Sequence, residues 1–433
     1  MQEHIRRRKK LLKILGSRSL AILPAASEQV RNRDNLHPFR QNSDFIYLTG
    51  LHEPNAFMVL VPGRSEGSYL LFLRPRDPEV ERWDGPMIGL EGAVQVYGAD
   101  QAYPVDTLDQ MLLELLEGID TVWLPFESSE LVSRVLGCFD RLRARSRAGV
   151  VPPRTLRDLS PLIHEQRLIK SAAEIRALRL AAQVSARAHI AAIKSVAAGR
   201  REYEIEAELL RCMRAHGGHP AFQPIVAGGA NACVLHYRAN NSVLNEGELV
   251  LIDAGVELSD AYAGDITRTV PVSGRFSKAQ REIYELVLAA QEAAIAAIQP
   301  GAAFDAPHRA AVEVLTDGLI ELKLLKGERR KLIEEGAYKR FFMHSTGHWL
   351  GLDVHDVGDY KVNGQWRSLK PGMVMTVEPG LYIGNDKDIP KRYRNIGIRI
   401  EDDVLVTKTG REVLTAAVPK SVVEIEALMA DSH

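Results

Sequence analysis

Apolar residues in the first third of the chain come as short runs rather than helical stripes. Residues 20–23, 45–48, 57–61, 69–73 and 122–124 are such runs, bounded by turn-forming residues, and they predict buried strands. A helical period takes over at 108–117 and 129–145, so this part reads as a mixed α/β domain. The segment Gly149-Val150-Val151-Pro152-Pro153, followed by Ser160-Pro161, predicts a linker, because proline disfavours helix at itself and at the residue before it. Two domains are expected, 1–160 and 161–433.

The second part opens on Lys170-Ser171-Ala172-Ala173-Glu174, which has the Ser-x-x-Glu form of a capping box. A long Ala/Leu/Ile-periodic helix should run from there to Gly199, and a second over 203–216 should stop at Gly217-Gly218. Strands are expected at 223–227, 248–254 and 264–272. The order then repeats. Ser277-Lys278-Ala279-Gln280 opens a helix to about residue 298, another spans 307–325, and strands return at 373–383 and 396–407. Helix, helix, hairpin, twice over, predicts a duplicated unit and the α+β class.

Charge and composition exclude several roles. The 433 residues carry 55 Lys+Arg against 56 Asp+Glu, a formal net charge of −1, so no basic field selects nucleic acid or a membrane surface as partner. No run of eighteen apolar residues occurs, so no membrane helix is expected. Arg6-Arg7-Arg8-Lys9-Lys10 lies in a short amphipathic start broken by charge, unlike a secretory signal. Cys138, Cys212 and Cys233 are odd in number and widely spaced, which argues against a disulfide framework and fits a cytoplasmic location.

The candidate chemistry lies in acids and histidines. The apolar run from Leu249 ends on Asp253, and Asp265 follows twelve residues later. Antiparallel pairing would set them opposite each other on one face. Taken alone, the pair fits a metal site and a solvated turn equally. A second hairpin repeats the arrangement, with Glu378 between Val377 and Pro379 and Glu401 after Ile400. Glu378, on an apolar strand, should be buried and needs a partner, whereas Glu401-Asp402-Asp403 also fits a solvated strand end. Between the hairpins His344, His348 and His355 fall within twelve residues on a glycine-punctuated loop, which favours ligand or proton-transfer roles. His236, in another glycine-led segment, reads on its own as a satisfied buried histidine. Four carboxylates with imidazole and no thiolate suit Mn²⁺, Mg²⁺, Co²⁺ or Fe²⁺. Their charge balances two divalent ions, the arrangement of dinuclear hydrolases.

At these residues the chain resembles the pita-bread metallopeptidases, and most closely the Xaa-Pro aminopeptidases, or aminopeptidase P. The resembling motifs are Leu251-Ile-Asp253-Ala-Gly255, Gly264-Asp265-Ile-Thr-Arg-Thr269, His344-Ser-Thr-Gly-His348, Val354-His355-Asp356, Thr376-Val-Glu378-Pro-Gly-Leu-Tyr382 and Gly397-Ile-Arg399-Ile-Glu401. Residues 38–50, Pro-Phe-Arg-Gln-Asn-Ser-Asp-Phe-Ile-Tyr-Leu-Thr-Gly, resemble the aminopeptidase P form of a creatinase-like N-terminal domain. The resemblance implies that domain, of α/β type, followed by a pita-bread catalytic domain. It implies that Asp253, Asp265, His348, Glu378 and Glu401 hold two divalent ions, usually Mn²⁺ in bacterial members, with Asp265 and Glu401 bridging. A water or hydroxide between the ions would attack the carbonyl before proline, and Glu378 would take and pass on a proton. His236 and His355 would contact the carbonyl and oxyanion, His344 the proline pocket, and Arg399 would orient a ligand or the substrate. The implied substrates are peptides with proline at the second position, and the implied assembly is a homodimer or homotetramer. Prolidase, confined to dipeptides, and a metal-free pseudo-enzyme that binds a partner are the rival readings.

Overall fold

The computed structural model describes residues 2–431. The chain divides into two compact units between Arg167 and Leu168, later than the expected point after residue 160. The proline segment leads into a strand, Thr155–Asp158, that joins the first unit's sheet. Arg167 also belongs with the first unit, donating to the buried Asp44 carboxylate at 2.7 Å.

That sheet has six strands: β1 (Ser19–Pro24), β2 (Phe57–Leu60), β3 (Tyr69–Leu73), β4 (Gln101–Pro104), β5 (Thr121–Leu124) and β6 (Thr155–Asp158). Their order is β4-β3-β2-β1-β5-β6. The sheet is mixed: β1 runs antiparallel to β2 and parallel to β5. The apolar run at 45–48, expected as a strand, is instead a helix, α1 (Ser43–Thr49). Asn42 caps its start by accepting from the Phe45 amide, and Gly50 ends it in the left-handed region. All seven residues of α1 are buried, so no polar positions interrupt the run to reveal a helical period.

The second unit follows the predicted repeat. Helices α2 (Ala172–Ser195) and α3 (Glu202–Ala215) pack together, followed by a sheet of β7 (Ile225–Gly228), β8 (Leu249–Ala254) and β9 (Ile266–Pro271). Helices α4 (Lys278–Ala297) and α5 (Ala306–Glu321) pack as a second pair. A hairpin in two segments then follows, β10 (Val374–Val377) against β13 (Asp402–Val406) and β11 (Gly380–Ile383) against β12 (Ile396–Arg399). The capping boxes at Ser171/Glu174 and Ser277/Gln280 are both formed. All six residues of β8 are buried. Each fully buried Leu, Ile or Val there contributes about 1.5–3 kcal/mol.

Helix α2 fixes the ends of the first hairpin. His189 Nε2 meets the Ala254 carbonyl at 2.9 Å, and the Ser185 hydroxyl oxygen accepts from the Val256 amide at 3.0 Å. Gly255 and Gly264 let the hairpin arms touch: a Cβ on Gly255 would lie 1.6 Å from the Gly264 carbonyl oxygen, so only glycine fits.

Candidate metal centre and active site

The two hairpins carry the acids, and their registers decide how the acids meet. On β8 and β9, Asp253 pairs with Thr267, not with Asp265 as expected. Asp265 precedes β9 by one residue and lies two positions from Thr267, which keeps it on Asp253's face. In the second hairpin the same register holds on both sides of an interruption, Val377 opposite Asp402 and Gly380 opposite Arg399. Extending that register sets Glu378 opposite Glu401 where the ladder is broken.

The two hairpins are stitched together. The Glu401 amide donates to the Thr267 carbonyl at 3.0 Å, and the Arg399 amide to the Thr269 hydroxyl oxygen at 3.2 Å. The histidine loop docks on β10 through Thr376 N to His348 O at 2.9 Å and Glu378 N to Thr346 O at 2.8 Å. Gly347 permits that approach, since a Cβ there would lie 2.0 Å from the Thr376 carbonyl oxygen. Beyond His348 the loop is held by a fully buried pair, Lys170 Nζ to Asp356 Oδ2 at 2.9 Å.

All nine proposed site residues line one cavity of about 880 Å³. The acids Asp253, Asp265, Glu378 and Glu401 and the ligand candidate His348 share it with His236, His344, His355 and Arg399. Asp265, His348 and Glu401 each offer a ligand atom, and these lie within 4.8 Å of one another. His348 Nε2 is 3.5 Å from both Asp265 Oδ2 and Glu378 Oε1. His348 Nδ1 faces the Trp349 carbonyl at 2.9 Å, a group that only accepts, so Nδ1 carries the hydrogen and Nε2 is the atom turned to the acids.

The electrostatics express crowding. Burial, joined by repulsion from neighbouring acids, pushes the Asp265, Glu378 and Glu401 carboxyls upward, Glu401 furthest above its ordinary range. Burial alone would lower the His348 imidazole, but its bond to Asp265 and the charge of Glu378 drive it up to about 9. Asp253 Oδ1 and Asp265 Oδ1 are buried with no hydrogen-bond partner among the described residues. Carboxylate oxygens left open beside one imidazole and no thiolate fit a hard divalent cation, which would relieve the repulsion and the desolvation together.

Arg399 reaches three elements of the site. Its guanidinium donates to Asp253 Oδ2 at 2.5 Å, to the Tyr382 hydroxyl oxygen at 2.9 Å and to the Thr267 hydroxyl oxygen at 3.1 Å. Thr267 donates onward to Glu401 Oε2 at 2.6 Å. Tyr382 stands 2.8 Å from His344 Nε2. Thr267 and Tyr382 lie inside the resembling motifs, which assign them no role. A signal was available for Thr267, a hydroxyl two positions from Asp265 on a paired strand and so on its face, whereas Tyr382 lies four positions from Glu378 across the break in the ladder.

Two expectations are corrected. Glu401-Asp402-Asp403 is not a solvated strand end, for all three are buried. Asp402 accepts from Arg268, Lys420, Gln291 and Thr415; burial alone would raise its carboxyl, but the Arg268 and Lys420 charges hold it well below the usual range. His236, read alone as a buried histidine, is exposed on the cavity wall. His355 is exposed too, its ring 4.4 Å from that of His348 and nearly perpendicular to it.

The family model described as "Metallopeptidase family M24" matches residues 176–408, more than half of the chain. The chain belongs to this family. A second model, "Aminopeptidase P, N-terminal domain", matches residues 4–123, so the creatinase-like domain precedes the pita-bread catalytic domain as expected. The Xaa-Pro aminopeptidase of Haemophilus influenzae is 44% identical over 429 residues, covering 99% of this chain and 97% of that protein. The Xaa-Pro aminopeptidase of Escherichia coli is 44% identical over 435 residues, with the same coverage. Among solved structures, aminopeptidase PepP of Pseudomonas aeruginosa superimposes with a TM-score of 0.98 at 51% identity, covering 100% of this chain and 98% of that one. As an M24 metallopeptidase the protein is a divalent-metal hydrolase. Among the described residues no helix is long and apolar enough to cross a membrane.

Proposed function

We propose that this M24 enzyme removes the first residue from peptides whose second residue is proline. The convergence of Asp265, His348 and Glu401 ligand atoms within 4.8 Å, inside a cavity large enough for a peptide, carries the reading. Full-length similarity to Xaa-Pro aminopeptidases supports it.

Asp253, Asp265, His348, Glu378 and Glu401 would hold two divalent ions; Mn²⁺ is the proposed metal, on the family resemblance, and is one of several ions that this oxygen-rich set suits. When bound, such a pair lowers the pKa of water to supply the nucleophile and stabilises the developing oxyanion. Glu378, its carboxyl raised by burial, takes the proton of the attacking water and delivers it to the proline nitrogen as the carbon–nitrogen bond breaks. His236 and His355, exposed on the cavity wall, meet the scissile carbonyl oxygen. The His344 ring walls the proline pocket, set edge-on to Phe342 with centroids 4.9 Å apart. An Xaa-Pro bond has no amide hydrogen to recognise, so a ring-shaped wall serves where a hydrogen-bond acceptor would not. Arg399 holds Asp253 Oδ2, which leaves Oδ1 for a cation or for the substrate's free amine.

The free cysteines Cys138, Cys212 and Cys233 support a reducing, cytoplasmic setting, and a homodimer or homotetramer is the proposed assembly, to be read by light scattering. The deciding assay compares Xaa-Pro with Xaa-Pro-Yaa-Zaa in the presence of Mn²⁺. Cleavage of both or of the longer peptide is expected. Cleavage of the dipeptide alone would make the enzyme a prolidase, and neither cleavage nor bound metal would leave a partner-binding pseudo-enzyme.

A further inference from the structure

Glu202 opens α3, is fully buried, and has no place in the chemistry above. Its two carboxylate oxygens collect four donors. Oε1 accepts from the Gly228 amide at 2.8 Å and from Asn231 Nδ2 at 2.9 Å; Oε2 accepts from the Tyr237 hydroxyl and from the Ser242 amide, both at 2.8 Å. These donors span the glycine-led segment that carries His236. A second acid of α3 reinforces the hold, Glu206 accepting from Asn240 Nδ2 at 3.0 Å, while Asn240 Oδ1 receives the Val226 amide at 3.0 Å.

Apolar packing holds one side of the segment, with Ala232, Cys233, Leu235 and Tyr237 against Ile225, Leu251 and Tyr382, while Glu202 supplies its buried polar anchor. Residues 229–237 form one short 3₁₀ turn and a bend, and outside that turn no strand pairing supports them. Tyr237 turns inward to Glu202, while its neighbour His236 stays exposed on the cavity wall. A buried carboxylate would pay a desolvation penalty that only well-formed hydrogen bonds offset, and four of them do so here.

We propose that Glu202 is a positioning residue for His236: by binding both ends of the segment and the Tyr237 hydroxyl, it fixes where the imidazole stands over the substrate carbonyl. The inference rests on the role given to His236 in the proposed function. A fixed imidazole contributes to the transition state without reorganising, whereas a loose one must be ordered in each turnover.

The test is a double-mutant cycle with Glu202→Gln and His236→Ala, measured on Xaa-Pro-Yaa-Zaa with Mn²⁺. Glutamine puts an NH₂ donor against donors, so kcat should fall about tenfold or more while KM and bound metal stay within about twofold. In the His236→Ala background the same change should cost less than about twofold, since the group it positions is gone. Amide exchange across residues 229–242 should rise in Glu202→Gln. Tyr237→Phe, which removes one donor of four, should move kcat the same way by less and serves as the judge should Glu202→Gln not fold. Additive losses, an unchanged kcat, or loss of metal with Glu202→Gln would overturn the inference. A wild-type enzyme inactive on every Xaa-Pro peptide would instead sink the proposed function, and the exchange measurement would still report whether Glu202 anchors the segment.

Discussion

Thr267 donates its hydroxyl hydrogen to Glu401 at 2.6 Å and accepts from Arg399 Nε at 3.1 Å. One hydroxyl on the first hairpin thus orients a carboxylate and an arginine on the second. Partners that orient a metal ligand are worth about 10–100-fold in affinity. Thr267→Val keeps the shape of this fully buried residue and removes the hydroxyl. Calorimetric titration of the metal-free variant with Mn²⁺ should show weaker binding within that range, with the far-ultraviolet circular dichroism unchanged. Wild-type affinity would mean that Glu401 keeps its orientation without Thr267.

Arg399 balances Asp253 inside the cavity wall, both being almost wholly buried. Removing one partner of a buried pair costs about 3–5 kcal/mol, because the other charge is left uncompensated. Arg399→Met should lower the unfolding free energy of the metal-free protein by an amount of that order. Mn²⁺ should recover part of it, as a cation takes over the countercharge at Asp253. Urea unfolding with and without Mn²⁺ checks both halves. A metal-free variant within about 1 kcal/mol of wild type would show that Asp253 does not depend on Arg399.

The repeat of helices and hairpins was legible because each element declares itself locally. Capping boxes at Ser171 and Ser277 mark helix starts, and the run from Leu249 is apolar up to the candidate ligand Asp253. The candidate acids and histidines could be found for a related reason: an ionisable side chain on an apolar strand or a glycine-rich loop stands out from its neighbours. What stayed hidden depends on pairing at a distance. The register that sets Asp253 against Thr267 depends on where the arms meet, which the Gly255–Gly264 contact fixes. Asp402 looks solvated in sequence because Arg268 and Gln291, donors that stabilise it when buried, lie 134 and 111 residues away along the chain. Glu202 was invisible for the same reason, its donors being distributed from Gly228 to Ser242.

Asp44 in the first unit links stability to pH. Burial alone would raise its carboxyl, but His164 at 3.1 Å and Arg167 at 2.7 Å more than offset that and hold it below the ordinary carboxylate value. A carboxyl with a folded pKa below its unfolded value, about 3.9, stabilises fully above that value and loses the contribution as pH falls through the folded pKa. Asp44→Asn should therefore be less stable than wild type at pH 7, by an amount on the order of 3 kcal/mol. The difference should shrink steadily below about pH 4. Urea unfolding of metal-free wild type and variant from pH 7 to pH 3 reads this directly, and a pH-independent difference would refute the linkage.

Tyr382 joins Arg399 to His344, the residue proposed to wall the proline pocket. His344 Nδ1 faces the Ser345 carbonyl at 2.7 Å, so that nitrogen carries a hydrogen. Burial, with the Arg399 charge nearby, pushes the imidazole down to about 4, which leaves the ring neutral at pH 7 and Nε2 an acceptor. The Tyr382 hydroxyl therefore donates to His344 Nε2 at 2.8 Å while its oxygen accepts from Arg399 at 2.9 Å. With both nitrogens engaged, His344 in its proposed role would offer the substrate a ring face held at a fixed angle rather than a proton. Tyr382→Phe strands a buried guanidinium hydrogen and frees the ring, a loss of about 1–3 kcal/mol. The consequence should be a fall of about tenfold or more in kcat/KM for Xaa-Pro-Yaa-Zaa, carried mainly by KM, with Mn²⁺ affinity unchanged. Steady-state kinetics beside metal titration separates the alternatives: a loss carried by kcat alone would assign His344 to the chemical step, and a loss of metal would assign Tyr382 to the support of Asp253 through Arg399.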